Sequence, residues 1–600
     1  MIEIRNLTFE YFDRDDDGHL TEMINAIRGI NFDAEKGEFI AIAGKNGSGK
    51  STFAKILNRL VVPIEGTVLI SGLDAMNEDN VIEIRKNVGM VFQNPDDQLI
   101  GSIVSEDVAF GAENIGVSQI NLWERVISAV EMAGLVVYDD TNKPNSKKAA
   151  SDMKKILYKR INDLSGGEKQ KVALAGVLAM KPKCIVLDEA TSMLDPHSRK
   201  EILDAIKRLN EKLGITVIMI THLMEELSYA DMVYIMHNGT IAMKGRPKDI
   251  YEREKELLSL GLDIPKCARL GKMLFETGIT AAPDLYGIND MAQSIKSRFP
   301  NRFFLNTKMP GKRKSHKEIN PMQAVLADNI SFSYGNKKIF ENVSFSVSKG
   351  EYVAIVGRTG VGKTTLLQHI PGLLKPQEGH IYVDGVDLWD KYTDLKKIRC
   401  KVGYVFQYPE QQLFAKNVYE DVVFGPRNIG ISEVEAEKRA YDSIKLVGLP
   451  DDVYDLPLDK LSGGQRRRVA LAGILAMQPE YLILDEPVAG LDPEGRRQML
   501  EIINALNKEA GITIIAVSHD VESVAEYADR VIVFEDKTVE DFNDVREAFY
   551  HMYMKYGAME YLPVGMQLLV VLRSMGLEVD CFETDVEGAV NAIKAALNYM

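Results

Sequence analysis

One nine-residue stretch constrains this chain more than any other: Gly44-Lys45-Asn46-Gly47-Ser48-Gly49-Lys50-Ser51-Thr52, a G-x-x-x-x-G-K-[ST] loop. Phe39 to Ala43, just before it, form a short apolar run without polar alternation and read as a buried strand. Thr52 to Leu60, just after it, lack Gly and Pro and read as a helix. A strand, a glycine turn and a helix N-terminus make an anion site, because backbone N–H groups converge there and the helix dipole favours negative charge. Glycine is needed where the backbone approaches phosphate more closely than a Cβ permits. Lys50 is placed to reach β- and γ-phosphates, and Ser51 to ligate Mg²⁺. The device recurs at Gly357-Arg358-Thr359-Gly360-Val361-Gly362-Lys363-Thr364-Thr365, after Tyr352 to Val356. Candidate nucleotide contacts are therefore Gly44, Asn46, Gly47, Ser48, Gly49, Lys50, Ser51 and Thr52 in the first loop. In the second they are Gly357, Thr359, Gly360, Val361, Gly362, Lys363, Thr364 and Thr365.

Two such loops announce a duplication. Lys363 follows Lys50 by 313 positions, and Gln407 follows Gln93 by 314. Leu461-Ser462-Gly463-Gly464 follows Leu164-Ser165-Gly166-Gly167 by 297, as Asp485-Glu486 follows Asp188-Glu189 and His519 follows His222. The constant late offset identifies two copies of one domain. Its fall by 17 places extra residues in the first copy, within the polar segment Asp139 to Lys155, which reads as a surface loop. Ten more between Tyr11 and Lys50 include the acidic run Asp13 to Gly18, read as a solvated hairpin tip in preference to a metal site.

Each copy reads as α/β. Cys184 to Leu187, Thr216 to Ile220, Tyr481 to Leu484 and Thr513 to Val517 are apolar runs of strand length. Ligands of open α/β sheets gather at the carboxyl ends of strands, where Asp188, Glu189 and His222 would meet the first loop's phosphates. Each copy then continues past Ile264-Pro265 or Leu562-Pro563 into a helical pattern that stops at Gly278 or Gly576. These read as small C-terminal subdomains whose apolar stripes are core rather than dimer contacts. The expected domains are 1–250, its C-terminal subdomain 251–305, a basic linker 306–322, the second domain 323–545 and its subdomain 546–600.

Composition sets outer limits. A net charge of −15 disfavours a uniformly basic nucleic-acid binder. Four widely spaced cysteines without a C-x-x-C indicate neither a zinc ribbon nor a disulfide framework, which fits a reducing cytoplasm. No stretch approaches the ~18 apolar residues that span a bilayer, and the N-terminus lacks a signal-like apolar region. Any membrane work would proceed through a partner.

Phosphoryl transfer to water requires charge neutralisation, a metal and a positioned water. Lys50 and Lys363 supply charge, and Ser51 and Thr364 ligate Mg²⁺ with Asp188 and Asp485. Glu189 and Glu486 polarise the water, His222 and His519 contact the γ-phosphate, and Gln93 and Gln407 complete the metal and water shell. Ser165-Gly166-Gly167 and Ser462-Gly463-Gly464 each open a helix, either as a further anion-binding N-terminus or as an ordinary serine cap.

In this order, with Leu194-Asp195 and Leu491-Asp492, these elements resemble the ATP-binding-cassette (ABC) ATPases, twice over nearly the whole chain. The resemblance implies two tandem P-loop NTPase ABC domains of α/β class, each with a helical subdomain, using ATP and Mg²⁺. It implies that the domains pair head to tail, with Ser462, Gly463 and Gly464 completing the site of Lys50, and Ser165, Gly166 and Gly167 that of Lys363. Tyr11 and Tyr334 match the family's adenine-stacking aromatic. Three residues depart from the pattern, namely Glu168 for glutamine, Ala190 for the proline seen at Pro487, and Val361 for the serine seen at Ser48. None removes a ligand, so both sites are expected to hydrolyse ATP.

Gln93 to Leu99, Gln407 to Phe414, Glu106 to Gly111, Glu420 to Gly425 and Leu262 to Pro265 resemble the ATPases of energy-coupling factor (ECF) transporters. That likeness implies a peripheral ATPase on the cytoplasmic face of the membrane. Its partners would be a transmembrane coupling subunit, received near Gln98 and Gln412, and a membrane subunit that captures a vitamin or transition-metal ion. The alternative, a soluble tandem ATPase acting on ribosomes, needs basic surface that this acidic chain lacks; no nucleic-acid partner is expected.

Overall fold

The computed structural model describes residues 1–14, 20–136, 147–192, 194–304 and 324–598. The acidic run beyond Arg14, the start of the Asp139 to Lys155 segment and the whole basic linker 306–322 lie outside the described residues. The chain divides into two units, Met1–Pro265 with Asp492–Glu494, and Lys266–Leu491 with Gly495–Met600.

The first unit is built on a six-stranded sheet ordered Thr240–Gly245, Met232–His237, Phe39–Ala43, Thr216–Thr221, Cys184–Asp188, Val88–Val91. Every neighbouring pair runs parallel except the antiparallel edge strand Thr240–Gly245. Phe39–Ala43, Cys184–Asp188 and Thr216–Thr221 are buried along their whole length, which explains their unbroken apolar reading. A smaller antiparallel sheet, in the order Leu20–Ala34, Ile2–Arg14, Glu65–Ile70, Leu73–Asp74, shares a core with the helix after the first loop. The helices Val104–Asn114, Gln119–Met132 and Gly166–Ala179 pack together as the helical subdomain.

The expected surface loop Asp139 to Lys155 is corrected over its second half, where Lys147–Leu157 is a helix. Its lysines obscured a stripe at helical spacing: Met153, Ile156 and Leu157 are buried.

The second unit repeats the plan. Its six-stranded sheet runs Val402–Val405, Tyr481–Asp485, Thr513–Val517, Tyr352–Val356, Arg530–Glu535, Thr538–Phe542. Beyond it, the helices Lys266–Glu276, Ile288–Arg298, Val545–Tyr556, Val564–Ser574 and Val586–Leu597 enclose one apolar core in which Leu270, Leu274 and Ile295 join Leu562, Leu569 and Ile593. The helices after Pro265 and after Pro563 thus form a single body, whereas a separate subdomain was expected in each copy. Gly576, at φ 112°, lets the chain cross the backbone of Phe304, whose N–H donates to the Gly576 carbonyl at 2.8 Å.

Candidate functional site

The first loop leaves the buried strand Phe39–Ala43 and enters the helix Lys50–Leu57 through Gly49, at φ 98°. A Cβ at Gly44 would strike the Met236 carbonyl, so a larger residue there would displace the loop from its sheet. Lys50 is buried, and its Nζ donates to the carbonyls of Gly44 and Lys45, both at 2.8 Å. Burial lowers its pKa, opposed by the Glu189 carboxylate 3.8 Å away. A cavity of 460 Å³ opens over this loop, bordered by Tyr11, Asn25, Ala26, Lys50, Glu189 and Asn238 among others.

The strand-end residues converge beside the loop. Ser51 Oγ donates to Asp188 Oδ1 at 3.0 Å. Glu189 Oε2 lies 3.0 Å from His222 Nδ1 and accepts from Gln93 Nε2 at 3.2 Å. Gln93 also reaches Ser192 Oγ at 3.4 Å. Burial raises the Asp188 carboxyl, with the Ser51 hydrogen bond opposing it. Burial also pushes Glu189 up, but His222 and Lys50 outweigh it and hold the carboxyl below its ordinary range. Glu189 is therefore an ionised acceptor facing the loop lysine, the state a water-polarising carboxylate needs.

The second site repeats this frame with different wiring. Lys363 Nζ donates to the carbonyls of Gly357 at 2.8 Å and Arg358 at 2.9 Å, and stands 3.4 Å from His519 Nε2. That same His519 nitrogen is 2.8 Å from Glu486 Oε1. Glu189 and Glu486 both take left-handed backbone conformations, at φ 49° and 52°, unusual for a residue with a side chain and costing on the order of 1 kcal/mol. Burial drives Asp485 up to about 6, Thr364 opposing. Gln407 differs from Gln93 in making no hydrogen bond to the glutamate of its own site. Its loop is held instead through Glu410, whose carboxylate lies 3.6 Å from Arg467.

Tyr11 and Tyr334 occupy equivalent places, each braced edge-on by the phenylalanine two residues earlier at 4.9 Å. Tyr11 also shares a 3.2 Å hydrogen bond with Thr52 Oγ1. Ser48 is buried with no partner for its hydroxyl, whereas Val361 packs against the second core. Ser165 and Ser462 cap the helices Gly166–Ala179 and Gly463–Leu475 in reciprocal capping boxes with Glu168 and Gln465. Glu168 thus does locally what Gln465 does in the second copy, and its other oxygen accepts from Lys159 at 2.8 Å.

Three neighbours of the sites escaped the sequence reading. Glu226 is buried and accepts from Thr191 Oγ1 at 2.5 Å. Tyr404 donates to Asp485 Oδ2 at 3.5 Å. Arg467, buried on the helix Gly463–Leu475, donates to the Ala489 and Pro487 carbonyls just after Glu486. Setting the repeats side by side would have exposed the last two, because Met90 and Gln170 hold those positions in the first copy.

A hydroxyl and a carboxylate at each loop, Ser51 with Asp188 and Thr364 with Asp485, form a hard oxygen set that suits Mg²⁺. Asp485 Oδ1, buried and without a hydrogen-bond partner, fits a ligand to such an ion. The ABC transporter family profile matches residues 27–192 and 340–489, which hold both loops and both Asp-Glu pairs. An ABC transporter ATP-binding protein of Methanosarcina mazei is 34% identical over 598 residues, covering 96% of this chain and 95% of its own. A second, from Caldanaerobacter subterraneus, is 34% identical over 570 residues, covering 91% and 92%. Among solved structures, cbiO1 of Clostridium perfringens, part of the ABC transporter complex cbiONQ, is 35% identical. It has a TM-score of 0.35 and covers 40% of this chain and 98% of its own. Both glycine loops and both Asp-Glu pairs lie within the matched residues, and the chain belongs to the ABC transporter family as two Mg²⁺-dependent, ATP-hydrolysing cassettes fused in one polypeptide.

Proposed function

We propose that this chain energises an ECF-type importer of a vitamin or transition-metal ion, acting at the cytoplasmic face of the membrane through separate transmembrane subunits. One observation carries the reading. Ile100 and Phe110 in the first cassette are 63% and 47% exposed, and Phe414 and Phe424, each 314 positions later, are 65% and 44% exposed. All four flank the glutamine loops, and Phe414 and Phe424 meet edge to face at 4.7 Å. Apolar side chains exposed at the same place in both copies fit a surface reserved for a partner's helix. No helix among the described residues is long and apolar enough to cross a membrane.

In this reading Lys50 and Lys363 neutralise the β- and γ-phosphates. Ser51 with Asp188, and Thr364 with Asp485, would hold the ion, which would offset charge developing on the transferred group. Glu189 and Glu486 accept a hydrogen bond from the attacking water, and His222 and His519 orient those glutamates. The cassettes pair head to tail, so that Ser462 to Gly464 complete the site of Lys50, and Ser165 to Gly167 that of Lys363. Fusion keeps the two partners at high effective concentration.

The test is co-expression with a multi-span membrane protein encoded by a neighbouring gene. The proposal expects co-purification and stimulated ATPase, both lost in Ile100→Asp plus Phe414→Asp while the unstimulated rate persists. Salt-sensitive cosedimentation with ribosomes, without membrane association, would replace it with the translation reading.

A further inference from the structure

We propose that Tyr404 is a positioning residue for the Mg²⁺ of the second cassette, and that this cassette holds its ion more tightly than the first. The inference rests on the reading that Asp485 and Thr364 supply oxygen ligands. Tyr404 stands on Val402–Val405, directly beside Tyr481–Asp485 in parallel register, so one sheet fixes both side chains. The tyrosine is 8% exposed, and its ring is held edge-on by Phe406 at 4.5 Å. A buried phenol needs a hydrogen-bond partner, and this one donates to Asp485 Oδ2 at 3.5 Å. Asp485 Oδ1 is buried without a hydrogen-bond partner of normal length, although the Thr364 hydroxyl is near enough to oppose the upward push of burial on the carboxyl. The phenol lies on the Oδ2 side, which leaves Oδ1 as the oxygen that would meet an ion. A group that fixes a ligand's orientation raises metal affinity, because the carboxylate no longer has to be ordered by the ion itself.

The first cassette has no such device. Met90 fills the same register position on Val88–Val91 and offers no donor. The bond that Asp188 does make, 3.0 Å from Ser51 Oγ, is to another expected ligand of the same ion. Binding must reorganise that pair, as it must Thr364 with Asp485; the Tyr404 contact, made by a group that is not an expected ligand, is the one the first cassette lacks.

Mn²⁺ serves as the probe, its free concentration read by electron paramagnetic resonance during titration of the ATP-loaded full chain carrying Glu189→Gln and Glu486→Gln. Two classes of site are expected. Tyr404→Phe should weaken the tighter class about three- to tenfold, the scale of one ordinary hydrogen bond, as suits a contact of 3.5 Å. ATP affinity in EDTA and the melting midpoint should stay put. Met90→Tyr should tighten the weaker class. Unchanged Mn²⁺ affinities in Tyr404→Phe would overturn the proposal, as would an equal loss of ATP affinity in EDTA, which a purely structural role produces. Absence of any ATP-dependent Mn²⁺ binding in the parent chain would refute the metal-ligand assignment itself.

Discussion

Beside Asp188 in the first cassette stands Ser51; beside Asp485 in the second stand Thr364 and Tyr404, the latter at the position Met90 holds in the first copy. In the first, Gln93 joins Glu189 and His222 in one hydrogen-bonded group; in the second, Glu486 pairs with His519 while Arg467 grips the carbonyls that follow. The contrast teaches where duplication leaves room to diverge. The loop lysines, the hydroxyls after them, the Asp-Glu pairs and the histidines keep their type in both copies, as phosphoryl transfer, which depends on charge and position, would require. The layer behind them differs, because a buried polar group needs only some partner.

The largest effect should come from removing the shared chemistry. Glu189→Gln plus Glu486→Gln should lower steady-state ATPase at least about 100-fold, the usual scale for a lost general base. The two single variants sharpen the comparison: equal residual rates would show that the differing surroundings do not matter to turnover, whereas unequal rates are expected here. Next comes Arg467→Gln, which installs the first cassette's residue. It leaves the Ala489 and Pro487 carbonyls without their donor and should cost about 1–3 kcal/mol in denaturant unfolding of the second unit. Gln170→Ala, which removes a single donor to the Phe92 carbonyl at 3.1 Å, should cost about 1 kcal/mol.

The smallest contrast lies at the sheet edge. Asp384 accepts from Tyr481 at 2.5 Å and pairs with Lys401 at 2.7 Å and Lys349 at 3.1 Å, while Ser71 stands in its place in the first copy. Burial alone would raise the Asp384 carboxyl, but Lys401, Tyr481 and Lys349 hold it down at about 2. A depressed folded pKa contributes stability above the unfolded value of 3.8 and loses it as pH falls through about 2. Because the site is largely solvated, Asp384→Asn should cost only about 0.5–1 kcal/mol at neutral pH and low salt. The deficit against the parent should vanish below pH 2; a deficit that persists there would mean that packing, not charge, is responsible.

Much of this was legible in the chain. The glycine loops, the Asp-Glu pairs and both histidines were readable because phosphate and metal chemistry permit few residue types at fixed spacings. The central strands were readable because burial on both faces leaves only apolar residues. The helix Lys147–Leu157 was not, since its three buried positions are diluted by lysines at its solvent face. Nor was the single core joining Leu270 to Leu569, because an amphipathic stripe states that it will be covered and not by what. Nor was the Glu410–Arg467 pair that holds the loop of Gln407, since its two residues stand 57 positions apart, beyond any local pattern.

That each phosphate loop anchors a nucleotide of its own is the claim on which the rest depends. Counting bound nucleotide on the Glu189→Gln plus Glu486→Gln chain at saturating ATP and Mg²⁺ tests it most directly. Two ATP per polypeptide are predicted, falling to one when either Lys50 or Lys363 is replaced by alanine. One ATP in the parent, unaffected by one of those lysine changes, would contradict it.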